Sequence, residues 1–112
     1  MFTKILDAAT VEKVELGFVG VSMQLLTGSA NGNGMYAMTT MAAGSTIPAH
    51  SHTAADEFVY VLSGDFVEDG TSYGPGSVFY GVAGTAHGPH TTKTGCVILT
   101  HFSAPLDFIP VS

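Results

Sequence analysis

The stretch Gly44-Ser45-Thr46-Ile47-Pro48-Ala49-His50-Ser51-His52-Thr53-Ala54-Ala55-Asp56-Glu57-Phe58-Val59-Tyr60-Val61-Leu62-Ser63-Gly64 decides how this chain is read. His50 and His52 are two positions apart. Alternate side chains on a strand share a face, so both imidazoles are expected on one side, within reach of one ion. Thr53 to Asp56 read as a short break, and Glu57 as the first residue of a new strand. A carboxylate there can close on the same ion across the hairpin. Asp56 is its rival, because neighbouring strand residues face opposite sides and only one of the two turns inward.

A second stretch runs from Gly76 through Val82, Ala83, Gly84, Thr85 and Ala86 to His87. Gly84-Thr85 has the composition of a turn, which would bring the third imidazole onto an adjacent strand.

Around these stretches, short apolar runs alternate with turn signals. The runs are Phe18 to Leu26, Met35 to Ala43, Phe58 to Leu62, Val78 to Tyr80 and Val97 to Phe102. Between them lie Ser29 to Gly34, Glu68 to Thr71 and Tyr73 to Gly76, rich in residues that favour turns. Asp69-Gly70 is the composition of a two-residue hairpin turn. Short strands at this spacing predict an all-β sandwich or barrel. Thr3 to Lys13 has only weak helical periodicity and is expected to be irregular or a short turn. Pro105 and Pro110 mark an extended tail, expected to lie across the barrel surface or a neighbour.

The two ligand-bearing stretches resemble the paired signature motifs of the cupin superfamily, the first at 44–64 and the second at 76–91. The first agrees at its defining positions, and its spacing of Glu57 to Gly64 favours Glu57 over Asp56. The second departs from the family pattern at Val82 and Thr91. The resemblance implies a double-stranded antiparallel β-barrel of the cupin or jelly-roll type, spanning residues 1–112 as a single domain. It also implies His50, His52, Glu57 and His87 as the ligands of one divalent transition metal ion inside the barrel. Three imidazoles and a carboxylate suit Fe, Mn, Ni, Co or Zn alike and leave two octahedral positions open.

Further matches run through Glu57 to Phe66, Tyr73 to Ser77 and Gly95-Cys96. They are similar to a cupin subgroup that includes the metal-binding domain of anti-sigma factors and small dioxygenases cleaving diketones and hydroxyketones. The leading expectation is therefore an Fe(II)-dependent dioxygenase acting on a small enolisable carbonyl compound. A non-redox isomerase or lyase and a non-catalytic sensing or binding module are the alternatives. No catalytic residue is assigned. His101, which shares strand parity with Leu99 and Val97, His90, after Pro89 in an expected loop, and Tyr36 are the candidates for substrate contact.

Composition narrows the partners. The chain has 112 residues, enough for one core, with 46% hydrophobic and 11% charged residues and a net charge of −6. Its only basic residues are Lys4, Lys13 and Lys93, and arginine is absent. Such a chain lacks the clustered cations that nucleic-acid binding requires. It also lacks the guanidinium forks that grip phosphates and multiple carboxylates. The expected ligand is thus a small neutral or metal-chelating molecule. Cys96 is the sole cysteine, expected to be a buried strand thiol, so no internal disulfide can form. No signal peptide or membrane-length apolar run is evident, and a soluble cytoplasmic protein is expected. The apolar runs Glu57 to Leu62 and Val97 to Phe102 offer apolar residues on both faces and suggest a homodimer.

Overall fold

A computed structural model describes residues 1–32 and 34–111. Among the described residues twelve strands follow one another: β1 Val14–Glu15, β2 Val21–Gly28, β3 Met35–Met41, β4 Thr46–Ile47, β5 His50–Ser51, β6 Glu57–Gly64, β7 Phe66–Glu68, β8 Thr71–Tyr73, β9 Val78–Gly81, β10 His90–Thr91, β11 Cys96–Phe102 and β12 Ile109–Pro110. The Thr3 to Lys13 segment forms only a short 3-10 turn, Ala8–Thr10. Gln24 pins it by donating from Nε2 to the carbonyls of Ala8 and Val11. No helix of the described residues is long and apolar enough to cross a membrane.

The pairings are antiparallel throughout and have the pattern of a jelly roll. One sheet runs in the order β1-β2-β3-β11-β6-β9, a second in the order β4-β10-β7-β8, and β12 pairs with β5 alone. The sheets remain separate hydrogen-bonded ladders among the described residues. Strand alternation sets which side chains enter the interior. On β11, Cys96, Ile98, Thr100 and Phe102 are buried, while Val97, Leu99 and His101 between them are only half-buried. On β6 the inward set is Glu57, Val59 and Val61. On β3 it is Met35, Ala37, Thr39 and Met41.

The apolar interior has two clusters. The larger joins Val21, Met41, Val61, Phe66, Cys96 and Ile98, and the smaller joins Met35, Ala37, Ala55 and Phe102. Fully burying one such large side chain contributes about 1.5–3 kcal/mol. Cys96 is the buried strand thiol expected from its neighbours.

Turn chemistry sets the register. Asp69 and Gly70 adopt φ of 47° and 83° and join β7 to β8 as the expected two-residue hairpin. Gly64, with φ of 79°, ends β6 where a Cβ would lie 1.9 Å from the carbonyl oxygen of Gly95. Only glycine fits that crossing. The turn expected at Ser29 to Gly34 includes Asn33, which lies outside the described residues.

Candidate metal centre

His50 and His87 face one another across an antiparallel bridge. Each donates its backbone N–H to the other's carbonyl, at 2.9 and 2.8 Å. Directly opposed residues project to one face, and the two rings stand 4.4 Å apart between centroids. His52 follows two positions after His50 and turns to the same side, its ring 4.9 Å from that of His50. The turn at Val82–Thr85 closes beneath it, with Gly84 N–H donating to the carbonyl of His52 at 2.7 Å. Glu57 opens β6 opposite Gly81 and Phe102.

Four ligand atoms converge as a result. One atom each from His50, His52, Glu57 and His87 lies within 4.8 Å of all the others. Glu57 Oε1 is 3.1 Å from His52 Nε2 and 3.0 Å from His87 Nε2, and His87 Nε2 is 2.9 Å from His50 Nε2. Asp56 takes the opposite side. Its carboxylate accepts the Ala83 N–H at 2.8 Å and the Tyr80 hydroxyl at 3.2 Å, tying the residue before β6 to the end of β9 and the turn that follows it.

The ring orientations are determined from behind. His50 Nδ1 lies 2.8 Å from the carbonyl of Pro48, and His52 Nδ1 lies 2.6 Å from that of Asp107. A carbonyl only accepts, so both Nδ1 atoms carry the hydrogen and both Nε2 lone pairs point into the cluster. Backbone carbonyls behind ligating histidines are the usual way a metal site determines the tautomer. Gly81 contributes by what it lacks, since a Cβ there would lie 3.3 Å from His87 Nδ1 and crowd the ring. Two facing nitrogens and a shared carboxylate oxygen can be held by a proton without metal. A divalent cation in its place satisfies all four donors, and the residues therefore fit one.

Electrostatics agree with a cation. Burial, with the neighbouring rings of His87, His90 and His52, pushes the His50 imidazole down to about 4 despite its bond to Pro48. Burial alone would raise Glu57, but its hydrogen bonds with His52 and His87 and their charge outweigh it and hold the carboxyl at about 2. Burial likewise lowers His52, but its bonds to Glu57 and Asp107 prevail and the net shift is upward. The cluster thus holds a carboxylate anion beside a His50 imidazole kept neutral by burial.

The cluster opens on a cavity of about 300 Å³ with apolar walls including Val59, Ile98, Phe102 and Phe108. A smaller space of about 140 Å³ adjoins it, walled by Glu57, Glu68, Phe79, His87 and His90. No lysine is among the residues lining either.

The other expected contact residues divide. His90 is buried on β10 rather than in a loop, and it lines both spaces. His101 and Tyr36 do not reach the cavity. They are opposed on β11 and β3 and pair with each other on the outer face, 4.4 Å between ring centroids. The parity that His101 shares with Leu99 and Val97 is the outward parity, because Ile98, Thr100 and Phe102 occupy the interior.

Sequence reasoning did not identify the tail as part of the site. It lies on this chain's own β5, with Ile109 opposite Ser51 and Pro110 opposite His50. Phe108 stacks on His50 at 4.1 Å, and Asp107 supplies the carbonyl behind His52. The prolines signalled an extended segment, but nothing in the sequence indicated where it docks. Glu68, which bonds His90, was read only as part of a turn.

The comparisons concern this fold. The family model described as the ChrR cupin-like domain matches residues 3–105. No curated protein sequence matches the chain. The polyketide cyclase RemF from Streptomyces resistomycificus is similar in structure at a TM-score of 0.83 and 18% identity, over 99% of this chain and 87% of that one. An acetylacetone dioxygenase from Acinetobacter johnsonii is similar at a TM-score of 0.74 and 22% identity, over 97% and 77%. Rhodobacter sphaeroides ChrR, an anti-sigma factor solved in complex with SigE, is similar at 0.69 and 22%, over 85% of this chain and 50% of the other. At these identities the likeness is one of fold.

Proposed function

The chain belongs to the family of ChrR cupin-like domains, and from that premise we propose that it is a metal-dependent dioxygenase of a small enolisable carbonyl compound. His50, His52, Glu57 and His87 hold the ion in this reading, and Fe(II) is the ion that the reaction requires. The observation that carries it is the three-histidine, one-carboxylate cluster opening on an apolar cavity with no lysine in its lining. A ligand there finds no lysine or arginine to neutralise an anionic oxygen. When bound, the metal supplies that positive charge and, as Fe(II), reactivity toward oxygen.

The chain's own residues supply the rest. Val59, Ile98 and Phe102 exclude water from the apolar part of a ligand. Pro48 and Asp107 hold the two histidine rings in their ligating orientation. Oxygen uptake by the iron-loaded protein, measured with a panel of diketones and hydroxyketones, tests the reading. Uptake with at least one compound and C–C cleavage products supports it. No uptake across the panel overturns it. Turnover by zinc-loaded protein without oxygen would instead indicate an isomerase or lyase.

The family match favours a second reading, a metal-dependent binding or sensing module. ChrR is an anti-sigma factor, and its cupin-like domain gives the family its description. A partner captured only by metal-loaded protein, with no turnover, would establish it. A homodimer remains part of the proposal. Tyr36, Tyr60, Leu62, Val78 and Tyr80 are exposed large side chains on β3, β6 and β9 that a second copy could cover. Light scattering giving the mass of one chain would remove it.

A further inference from the structure

His90 and Glu68 are directly opposed on β10 and β7. Their side chains meet with His90 Nδ1 at 2.6 Å from Glu68 Oε1. The second carboxylate oxygen accepts the Gly88 N–H at 2.9 Å, so Glu68 is held from both ends. Burial would raise the Glu68 carboxyl, but the bond and charge of His90 and the Gly88 N–H hold it below its ordinary range. An ionised carboxylate only accepts, which places the hydrogen of His90 on Nδ1. In the neutral ring Nε2 is then a bare lone pair.

That atom has no use in the fold. No hydrogen bond engages it among the described residues. Ser45 Oγ is the only fully buried side-chain N or O atom there that lacks a partner, so His90 Nε2 keeps some exposed surface, and the residue lines both cavities. The ring itself cannot turn freely. It lies against Phe66 at 5.1 Å and beside His50 and His87 at 5.4 and 5.3 Å between centroids. His90 is also outside the group whose ligand atoms converge. The result is a fixed acceptor beside the candidate metal centre in a largely apolar wall.

We propose that His90, positioned by Glu68, is a specificity-determining residue that accepts a hydrogen bond from a hydroxyl of the bound ligand. This rests on the metal-centre reading above and narrows its substrate class. A ligand that keeps an O–H beside its carbonyl satisfies the lone pair. One whose oxygen is alkylated leaves a desolvated acceptor unpaired, which is costly in a closed site. If the pair were only a staple between β7 and β10, ligand hydroxyls would make no difference.

The test uses the zinc-loaded full chain, which is diamagnetic and redox-inert. Imidazole nitrogen NMR at pH 8 reads the His90 tautomer directly. Calorimetry compares hydroxyacetone with methoxyacetone in wild type, His90→Leu and Glu68→Gln. The expected result is hydrogen on Nδ1, a shift of the Nε2 resonance on adding hydroxyacetone, and a preference for it of about tenfold or more. His90→Leu loses that preference while keeping its zinc, and Glu68→Gln weakens it and redistributes the tautomer. Hydrogen on Nε2 in wild type overturns the proposal and needs no variant to fold. Equal affinities for the two probes, or a preference unchanged in His90→Leu, overturn it while leaving the metal centre standing. Absence of bound zinc in wild type would overturn the metal-centre reading and this proposal together.

Discussion

His52 and Asp107 stand 55 positions apart, yet the backbone carbonyl of Asp107 lies 2.6 Å from His52 Nδ1. The tail that supplies this carbonyl lies outside the two larger sheets. It is held by the two-residue pairing of β12 with β5, the bond from Val111 N–H to the Ala49 carbonyl, the bond from Leu106 N–H to the Ala30 carbonyl, and the Thr53 N–H donated to the Asp107 side chain at 2.8 Å. Leu106 packs against the smaller core cluster, and Phe108 against His50 and Phe18. Beyond Asp107, no strand of the two larger sheets pairs with it among the described residues.

Removing residues 107–112, which leaves Leu106 in place against the core, should therefore leave a folded protein with a weakened metal site. Loss of an outer partner of a ligating histidine costs about 10–100-fold in metal affinity. Zinc affinity measured by chelator competition should fall in that range, while circular dichroism retains the β signature. Unchanged affinity would show that His52 needs no support from the tail.

The ligand set predicts a sharper contrast. His50→Ala and His87→Ala should each lose more metal affinity than the tail deletion does, since they remove a donor rather than its support. Asp56→Asn should keep wild-type metal content, because that carboxylate bonds Ala83 and Tyr80 away from the cluster. Elemental analysis of the three purified variants separates these outcomes. Metal loss in Asp56→Asn with full content in His87→Ala would reverse the assignment.

Acid should act on the metal-free protein with a defined sign. The folded state holds His50 at about 4, below its ordinary 6.5, so the unfolded chain takes up that proton first. Stability then falls as pH drops from 6.5 toward 4. Glu57, at about 2 instead of 4.5, contributes stability present above 4.5 and lost as pH falls toward 2. His52 acts oppositely. Its raised value adds stability that is full below 6.5 and fades as pH rises through the folded value. Urea unfolding of wild type and His50→Leu across pH 4 to 7 should show a shallower loss on acidification in the variant. Parallel curves would count against a His50 buried in its neutral form. Metal affinity should also fall on acidification, since an ion must displace the proton from His52.

Phe66 ties the core to the site. It is 1% exposed and packs against Phe79 at 5.2 Å and His90 at 5.1 Å between ring centroids. Phe66→Ala should cost about 3–5 kcal/mol in urea unfolding. It should also loosen the His90 ring, which the nitrogen spectrum would record as line broadening. A loss under about 1 kcal/mol would mean that neighbouring side chains collapse into the space.

Local rules make part of this protein legible in its sequence. The period of two on a strand sends His50 and His52 to one side, and it makes Asp56 and Glu57 exclusive of one another. Turn residues separate the strands, as Asp69-Gly70 does between β7 and β8. Those features depend on neighbours in sequence.

The remainder depends on which distant segments pair. Parity alone says that His101 shares a face with Leu99 and Val97, but not that Ile98 and Thr100 occupy the inner one. That choice belongs to the packing of β11 between β3 and β6. His90 resembled a loop residue after Pro89, and became an inward side chain only through its register against Glu68. The chain by itself determined the all-β class and the shared side of His50 and His52, because alternation along a strand and the turns between strands set them, while Glu57 and His87 were named with them through the resemblance of the two motifs. Only the tertiary structure decided what stands behind and beside those donors. The carbonyl of Asp107, the ring of Phe108 and the Glu68–His90 pair arrive by contacts between elements far apart in sequence, whose register no local pattern encodes.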